Sequence, residues 1–286
     1  MEFLITGGAG RLGGELCRLI SASGHGVRAF DLPHGSWNDV EDIMGLEIYK
    51  GDVTDPISAS KACHGVDVVI HLAALLPPRS EIDREFTLSV NLEGTRNVIE
   101  ALKSRQGVYL VFASSISTYG ITAFEEPLIS EDYPQKAHNN YSKSKIEAER
   151  IIRASEIPYV VLRIAPIAIA DLVELPDIVP YRADQRVEFI YVEDAAWALF
   201  SAAVNKKALG RIFNIAGGAS WQMTGAKYIK RFYEALGVYI EPNFNEEYTA
   251  LDWYDTSRSR FLGYRRTTFN QFLDRLRMLG EELGLR

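Results

Sequence analysis

The chain has 286 residues, 47% of them hydrophobic, and carries a formal charge of −7 with a pI near 5.4. That balance fits a globular protein with a sizeable core and argues against a nucleic-acid surface, which needs a basic stripe. No apolar run approaches bilayer length, and Phe3-Leu4-Ile5 gives way at once to glycines, so neither a membrane span nor a secretory leader is expected and a cytoplasmic location fits. The two cysteines, Cys17 and Cys63, fall in separate helix-like segments and read as small packing residues. The five histidines show no ligand spacing, so no metal site is expected.

In chain order, apolar strand candidates at Phe3–Ile5, Val27–Phe30, Leu46–Tyr49, Val68–His71, Val108–Phe112 and Tyr159–Leu162 alternate with helix-period segments. The helical stretches are Leu12–Ser23, Phe86–Lys103 and Tyr141–Ser155, with Gly24 and Gly107 as stops. Such alternation predicts an α/β fold, a doubly wound parallel sheet of Rossmann type with helices on both faces. Beyond Leu162 the pattern changes: Pro166, Pro176 and Pro180 interrupt an apolar stretch before Phe189–Val192. A strand at Arg211–Ile215 and helices near Met223–Leu236 and Thr268–Leu279 follow. We expect residues 1–165 to form a dinucleotide-binding domain carrying the catalytic groups. Residues 166–286 mainly build a smaller substrate-binding lobe, with some segments returning to the sheet.

The first strand runs into Thr6-Gly7-Gly8-Ala9-Gly10-Arg11-Leu12-Gly13. Gly7 permits a tight turn, Gly10 lets backbone approach a pyrophosphate, and Gly13 lets the next helix pack closely, with the helix N-terminus facing the phosphates. Asp31, after the second strand, is placed to accept hydrogen bonds from the adenosine ribose; its charge would repel a 2′-phosphate, which favours NAD over NADP. Asp31 equally suits the opening of the turn Asp31-Leu32-Pro33. Arg28 and Arg11 are the residues able to reverse the cofactor preference by reaching a phosphate. Asp52, after the third strand, fits either an adenine contact or, more simply, a helix cap before Pro56.

Tyr141 and Lys145 are four apart in a helical segment and so share a face. A tyrosine with pKa about 10 is a poor base, but an adjacent ammonium favours phenolate, so Tyr141 is expected to exchange the substrate's hydroxyl proton while hydride moves to or from a nicotinamide. Ser115, in Ser114-Ser115-Ile116-Ser117-Thr118-Tyr119-Gly120, offers a hydroxyl at the sheet edge to polarise the reacting oxygen; a plain serine-rich turn is the alternative.

Taken together, these segments resemble the extended short-chain dehydrogenases/reductases of the NAD-dependent epimerase/dehydratase family. The resemblance rests on Thr6 to Gly13, Asp52-Val53, His71-Leu72-Ala73-Ala74, Asn91 in Val90-Asn91-Leu92-Glu93-Gly94-Thr95, the Ser-Ser…Tyr-Gly segment, Tyr141 with Lys145, Val192-Glu193-Asp194 and Asn214. It implies Ser115, Tyr141 and Lys145 as the catalytic trio, with Lys145 also holding the nicotinamide ribose. It implies a cofactor site built from Gly7, Gly10, Arg11, Leu12, Gly13, Asp31, Asp52, Val53, Leu72, Ala73, Ala74, Asn91, Tyr141 and Lys145. His71 becomes a packing residue at a strand end and Asn91 takes a helix or water-holding role.

The chain departs from the nucleotide-sugar members of that family. Pro166 to Phe189 is short and apolar, with Ile167, Ile169, Leu172, Val173 and Leu175, and Val187 stands where those members commonly have a phosphate-binding arginine. Ala250 to Asp255 replaces a late arginine motif, although Arg182 or Arg186 could substitute by a shifted register. The preferred expectation is an NAD-dependent oxidoreductase acting on a small hydroxyl or carbonyl substrate, such as a free sugar or sugar acid. The alternatives are a nucleotide-sugar epimerase or dehydratase that retains NAD, and a non-catalytic NAD-binding regulator. The resemblance also implies a homodimer through the helices at Phe86–Lys103 and Tyr141–Ser155, with Phe86, Val90, Val98, Ile146, Ile151 and Ile152 as the apolar face.

Overall fold

A computed structural model describes residues 1–103, 105, 107–171 and 175–284; Leu172 and Val173 of the apolar segment lie outside the described residues. Six strands and the helices between them wind up the first part: β1 (Glu2–Thr6), α1 (Arg11–Ala22), β2 (Gly26–Asp31), β3 (Leu46–Lys50), α2 (Pro56–Ala62) and β4 (Val68–His71). Then come α3 (Arg84–Leu88), a π turn over Ser89–Glu93, α4 (Gly94–Lys103), β5 (Tyr109–Ser115), α5 (Asn140–Ala154) and β6 (Tyr159–Ile164). The rest holds β7 (Ile167–Ala168), β8 (Arg186–Val187), β9 (Ile190–Tyr191), α6 (Val192–Val204), β10 (Arg211–Ile215), β11 (Met223–Thr224), α7 (Gly225–Leu236) and α8 (Phe269–Glu282).

Seven strands form one parallel sheet in the order β10-β6-β5-β4-β1-β2-β3. The order reverses between β1 and β4, so a crevice opens at their carboxyl ends, where such sheets take ligands. One face of the sheet buries Leu16, Cys17 and Ile20 of α1 with Ala195, Leu199 and Ala202 of α6. The other buries Ala62 of α2, Val98, Ile99 and Leu102 of α4, and Ala148 and Ile152 of α5. A third cluster, with Val187, Trp221, Tyr228, Phe269 and Phe272, makes the core of the lobe. Both cysteines are buried and unpaired, and burial raises each thiol to about 12. No helix among the described residues is long and apolar enough to cross a membrane.

Several boundaries differ from the sequence reading for identifiable reasons. The helix expected over Phe86–Lys103 is broken at Ser89–Glu93, where one extra residue per turn lets Asn91 face inward. The strand expected to end at Phe112 continues through Ser115 because Ala113, Ser114 and Ser115 still pair with Leu162, Arg163 and Ile164. Met223 and Thr224 belong to β11 rather than α7, whose amide at Lys227 is capped by the Thr224 hydroxyl. Beyond the two-residue β9, Val192 opens α6, a helix whose near-continuous alanine and apolar sequence hides its period. Of the expected dimer face, Val98 and Ile152 are fully buried against the sheet and cannot serve; Phe86 is 54% exposed, and Val90, Ile146 and Ile151 are half-buried.

Candidate active site

The glycine loop joins β1 to α1 and is pinned by backbone: the amides of Gly7 and Gly8 donate to Phe30 O at 2.9 and 3.2 Å. Gly7 has φ +72°, a conformation that side chains rarely adopt, and a methyl group at Gly13 would sit 2.1 Å from Gly7 O. Helix and loop therefore touch. Gly10 is exposed and forms the N-cap of α1; no side chain among the described residues caps that end, and its first turn holds no acidic residue. The amide dipoles there remain directed at the loop mouth, an arrangement suited to phosphate oxygens.

The Asp31 carboxylate stands beside this loop, with Oδ2 accepting from Ala9 N at 3.0 Å and Oδ1 from Leu32 N at 2.8 Å. Both readings of Asp31 thus meet in one geometry, a turn opener whose charge lies at the loop. Arg28 is committed elsewhere, donating to Ala62 O and His64 O at 2.6 and 2.8 Å and pairing with Glu47. Arg11 pairs with Asp171 across from the lobe. Asp52 is not the cap of α2: its Oδ1 accepts from Thr54 N, and Asp55 caps the helix through Ile57 N and Ser58 N. The spacing explains this, since Asp55 directly precedes Pro56 at the first helical position. Val53 is buried against Gly94, where an added methyl would lie 2.8 Å from its Cγ1.

Leu72, Ala73 and Ala74 follow β4 and run beside the loop because the Thr6 hydroxyl accepts from the amides of Leu72 and Ala73 at 3.2 and 3.1 Å. With its lone pairs so used, Thr6 directs its hydrogen to His71 Nδ1 at 2.6 Å. The Thr95 hydroxyl donates to Asn91 O at 2.6 Å and accepts from His71 Nε2 at 3.0 Å. His71 is therefore the neutral Nε2–H tautomer, and burial, with the Lys145 charge in the same direction, holds its pKa down at about 3. Asn91 clasps the Leu75 peptide, accepting from Leu75 N at 2.7 Å and donating to Leu75 O at 3.1 Å and to Ser144 Oγ at 2.9 Å.

Ser115 closes β5, and Tyr141 and Lys145 stand one turn apart on α5. The Tyr141 phenol and the Ser115 hydroxyl stand side by side, near enough to act on each other. Lys145 Nζ donates to Ala113 O at 2.8 Å and lies 5.7 Å from the centre of the Tyr141 ring. The three groups converge at the carboxyl edge of β5. In the dinucleotide-free chain burial, not the neighbouring ammonium, dominates both groups. Burial pushes Tyr141 up to about 12 against the opposing effect of Ser115, and burial draws Lys145 down to about 7 although Glu149 opposes it.

The Lys145 shift has a sign that stability measurements read. Between about 7 and the ordinary 10.5, the unfolded chain binds a proton that the folded chain does not. The cost of burying the ammonium is thus full below about 7 and gone above 10.5. In dinucleotide-free protein, the unfolding free energy of wild type relative to Lys145→Met should rise from pH 7 to pH 10 in denaturant titrations; a constant difference would contradict this placement of Lys145.

Beneath the trio lies a buried polar network centred on Glu149 and Arg163, which the sequence reading did not single out, and joined to Asn214, which it did. Glu149 Oε1 and Oε2 accept from Arg163 at 3.0 and 2.7 Å, and also from Ser114 Oγ at 2.5 Å and Gln135 Nε2 at 2.9 Å. Arg163 Nη1 donates to Tyr119 OH at 3.0 Å, and Tyr119 donates to Asn214 Oδ1 at 2.5 Å. Asp194 accepts from Arg266 N and Thr267 N, both at 3.0 Å, tying α6 to the segment before α8. Glu188, fully buried, accepts from Gly218 N, Gln222 Nε2 and Tyr254 N. On the lobe side, Arg186 holds the fully buried Asp252 by two hydrogen bonds, and Thr122 Oγ1 donates to the same carboxylate at 2.8 Å. Arg182 is similarly engaged by Asp184 and lies over the Tyr248 ring. Val187 is fully buried in the lobe core, where β8 pairs with β11.

A doubly wound sheet with a glycine-rich loop and a Ser-Tyr-Lys constellation defines the short-chain dehydrogenase/reductase class. Within it, residues 3–216 match the model of the NAD dependent epimerase/dehydratase family, and the chain belongs to that family. Its cofactor is accordingly NAD, and the uncapped α1 N-terminus, the close-packed Gly13 and the anchored Asp31 fit that molecule. The chain is 31% identical to a UDP-glucose 4-epimerase of Lactobacillus helveticus over 57% of its own length and 51% of the epimerase, so it spans about half of that relative. It is 30% identical to a 2-alkyl-3-oxoalkanoate reductase of Stenotrophomonas maltophilia, over 83% of this chain and 76% of the reductase. A short-chain dehydrogenase/reductase superfamily protein from Agrobacterium tumefaciens, solved with bound NAD, shares the fold with a TM-score of 0.80 at 23% identity, covering 100% and 98% of the two chains.

Proposed function

We propose that this protein is an NAD-dependent oxidoreductase that interconverts a hydroxyl and a carbonyl on a small substrate lacking a nucleoside diphosphate. A free sugar or sugar acid is the first class to test. In this reading Ser115 hydrogen-bonds the reacting oxygen, Tyr141 supplies its proton, and Lys145 orients the nicotinamide ribose. NAD, when bound, supplies the hydride chemistry. Residues 1–165 hold the dinucleotide and residues 166–286 shape the substrate side. In the reducing direction the carbonyl carbon gains hydride, the C=O π pair moves to oxygen, and the Tyr141 proton completes the hydroxyl. The match to the reductase over most of both chains supports the same direction.

The observation that carries the choice of substrate is the engagement of the lobe arginines. Arg186 is held by buried Asp252, Arg182 forms a solvent-exposed pair with Asp184, and Val187 is buried where the nucleotide-sugar members commonly carry arginine. A diphosphate lacking two charge-assisted contacts loses about 1.5–3 kcal/mol for each, on the order of a hundredfold or more in affinity. UDP-, GDP- and dTDP-sugars should therefore bind no tighter than millimolar in direct titration. Micromolar binding of any of them would favour the second reading, a nucleotide-sugar epimerase, which the similarity to UDP-glucose 4-epimerase supports.

The same titration should rank NAD above NADP, because the Asp31 charge faces the position of a 2′-phosphate. Asp31→Ala should narrow the gap, and an NADP preference in the unmodified protein would remove this assignment. We also infer a homodimer through the helical segment Phe86–Lys103 and α5, for which exposed Phe86 and half-buried Val90, Ile146 and Ile151 remain the apolar face; sedimentation at micromolar concentration reads that state.

A further inference from the structure

The reactive tyrosine stands at the second position of α5, in the part of a helix most prone to fraying, because the first turn lacks intrahelical partners for its amides. The Asn139 cap satisfies only the third of these, accepting from Ser142 N at 2.8 Å. The first two are held from outside the helix. Glu81 Oε2 accepts from Asn140 N at 2.9 Å, and Glu81 Oε1 accepts from Tyr141 N at 3.2 Å and from Ser80 Oγ at 2.7 Å.

Glu81 ends a strap whose other end is Leu75, the residue clasped by Asn91. Asn91 also donates to Ser144 Oγ, which in turn donates to Tyr141 O at 2.7 Å. Both ends of the strap thus lead to the peptide groups of Tyr141, one to its amide and one to its carbonyl. The strap itself is anchored in the fold, since Thr87 Oγ1 and Asn140 Nδ2 both donate to Ser80 O, at 2.7 and 3.3 Å.

We propose that Glu81 is a positioning residue for the reaction: it fixes the main chain of Tyr141 against the strap after β4, so that the phenol meets the oxygen polarised by Ser115. The inference rests on the assignment of Tyr141 as the proton donor. Asn139 supplies the control, because it caps the same helix turn through the Ser142 amide and bonds neither the amide nitrogen nor the carbonyl oxygen of Tyr141.

The test compares Glu81→Ala, Glu81→Gln and Asn139→Ala in full-length protein. The assay uses NAD with whichever of D-glucose, D-galactose, D-glucuronate or 2-propanol gives the fastest hydride transfer, and records melting temperature and NAD affinity alongside. Displacing a reacting group by about 1 Å costs up to a hundredfold, so Glu81→Ala should lower kcat roughly ten- to a hundredfold with NAD affinity and substrate KM nearly unchanged. Glu81→Gln keeps an acceptor oxygen and should recover part of the rate. Asn139→Ala should lose comparable thermal stability with little loss of kcat. Equal losses of kcat in Glu81→Ala and Asn139→Ala, or a full rate in Glu81→Ala, would overturn the proposal. Substantial turnover in Tyr141→Phe would instead remove the assignment beneath it.

Discussion

Tyr141→Phe is expected to lower turnover by about 10²–10⁴-fold, the range typical of removing a general acid or base. NAD affinity should stay nearly intact, since the proposed role of the lost hydroxyl is proton transfer rather than cofactor anchoring. The substitution keeps the ring and its place on α5, and the Lys145 bond to Ala113 O does not involve the phenol. Lys145→Ala should differ by harming cofactor binding as well as rate. Steady-state kinetics with isothermal titration of NAD separates the two variants, and near-normal turnover by Tyr141→Phe would show that the proton comes from elsewhere.

The largest loss of stability is expected from Glu149→Ala. The carboxylate is fully buried and joins α5 to β5 and β6 through Arg163, Ser114 and Gln135. Removing it leaves the guanidinium of Arg163, 3% exposed, without its charge partner. Breaking a buried pair in this way costs about 3–5 kcal/mol. For a chain of this size that corresponds to a fall in Tm of roughly 5–15 °C. Loss of the acceptor also frees Ser114, next to Ser115 at the sheet edge, so activity should fall along with stability. A Tm within about 2 °C of wild type would contradict that cost and show that Arg163 finds another partner.

The succession of strands along the chain and the glycine loop were legible because each rests on short-range pattern. An apolar run ending in Thr6-Gly7-Gly8 states both the strand and its turn, and Asp31 and Ser115 follow from strand ends. Tyr141 and Lys145 were legible from the helical spacing of four. That spacing continues to Glu149, which lies on the same face, but a glutamate there reads as a solvated residue until Arg163 on β6 is seen beside it. Glu81 carries no local signal at all, since its partners, Asn140 and Tyr141, are about sixty residues away and use only backbone amides. The raised pKa of Tyr141 was hidden for a related reason: helical spacing gives the neighbouring ammonium but not the burial of the phenol, which sets the direction of its shift. The engagement of Arg186 by Asp252 likewise joins positions 66 residues apart.

The most direct measurement mixes the purified protein with NAD and a panel of free sugars, sugar acids and simple secondary alcohols at pH 9, then follows the absorbance of reduced nicotinamide. Steady accumulation with at least one of them, abolished by Tyr141→Phe, is the predicted result. No accumulation with any of them, together with interconversion of a UDP-sugar without net reduction of NAD, would contradict it.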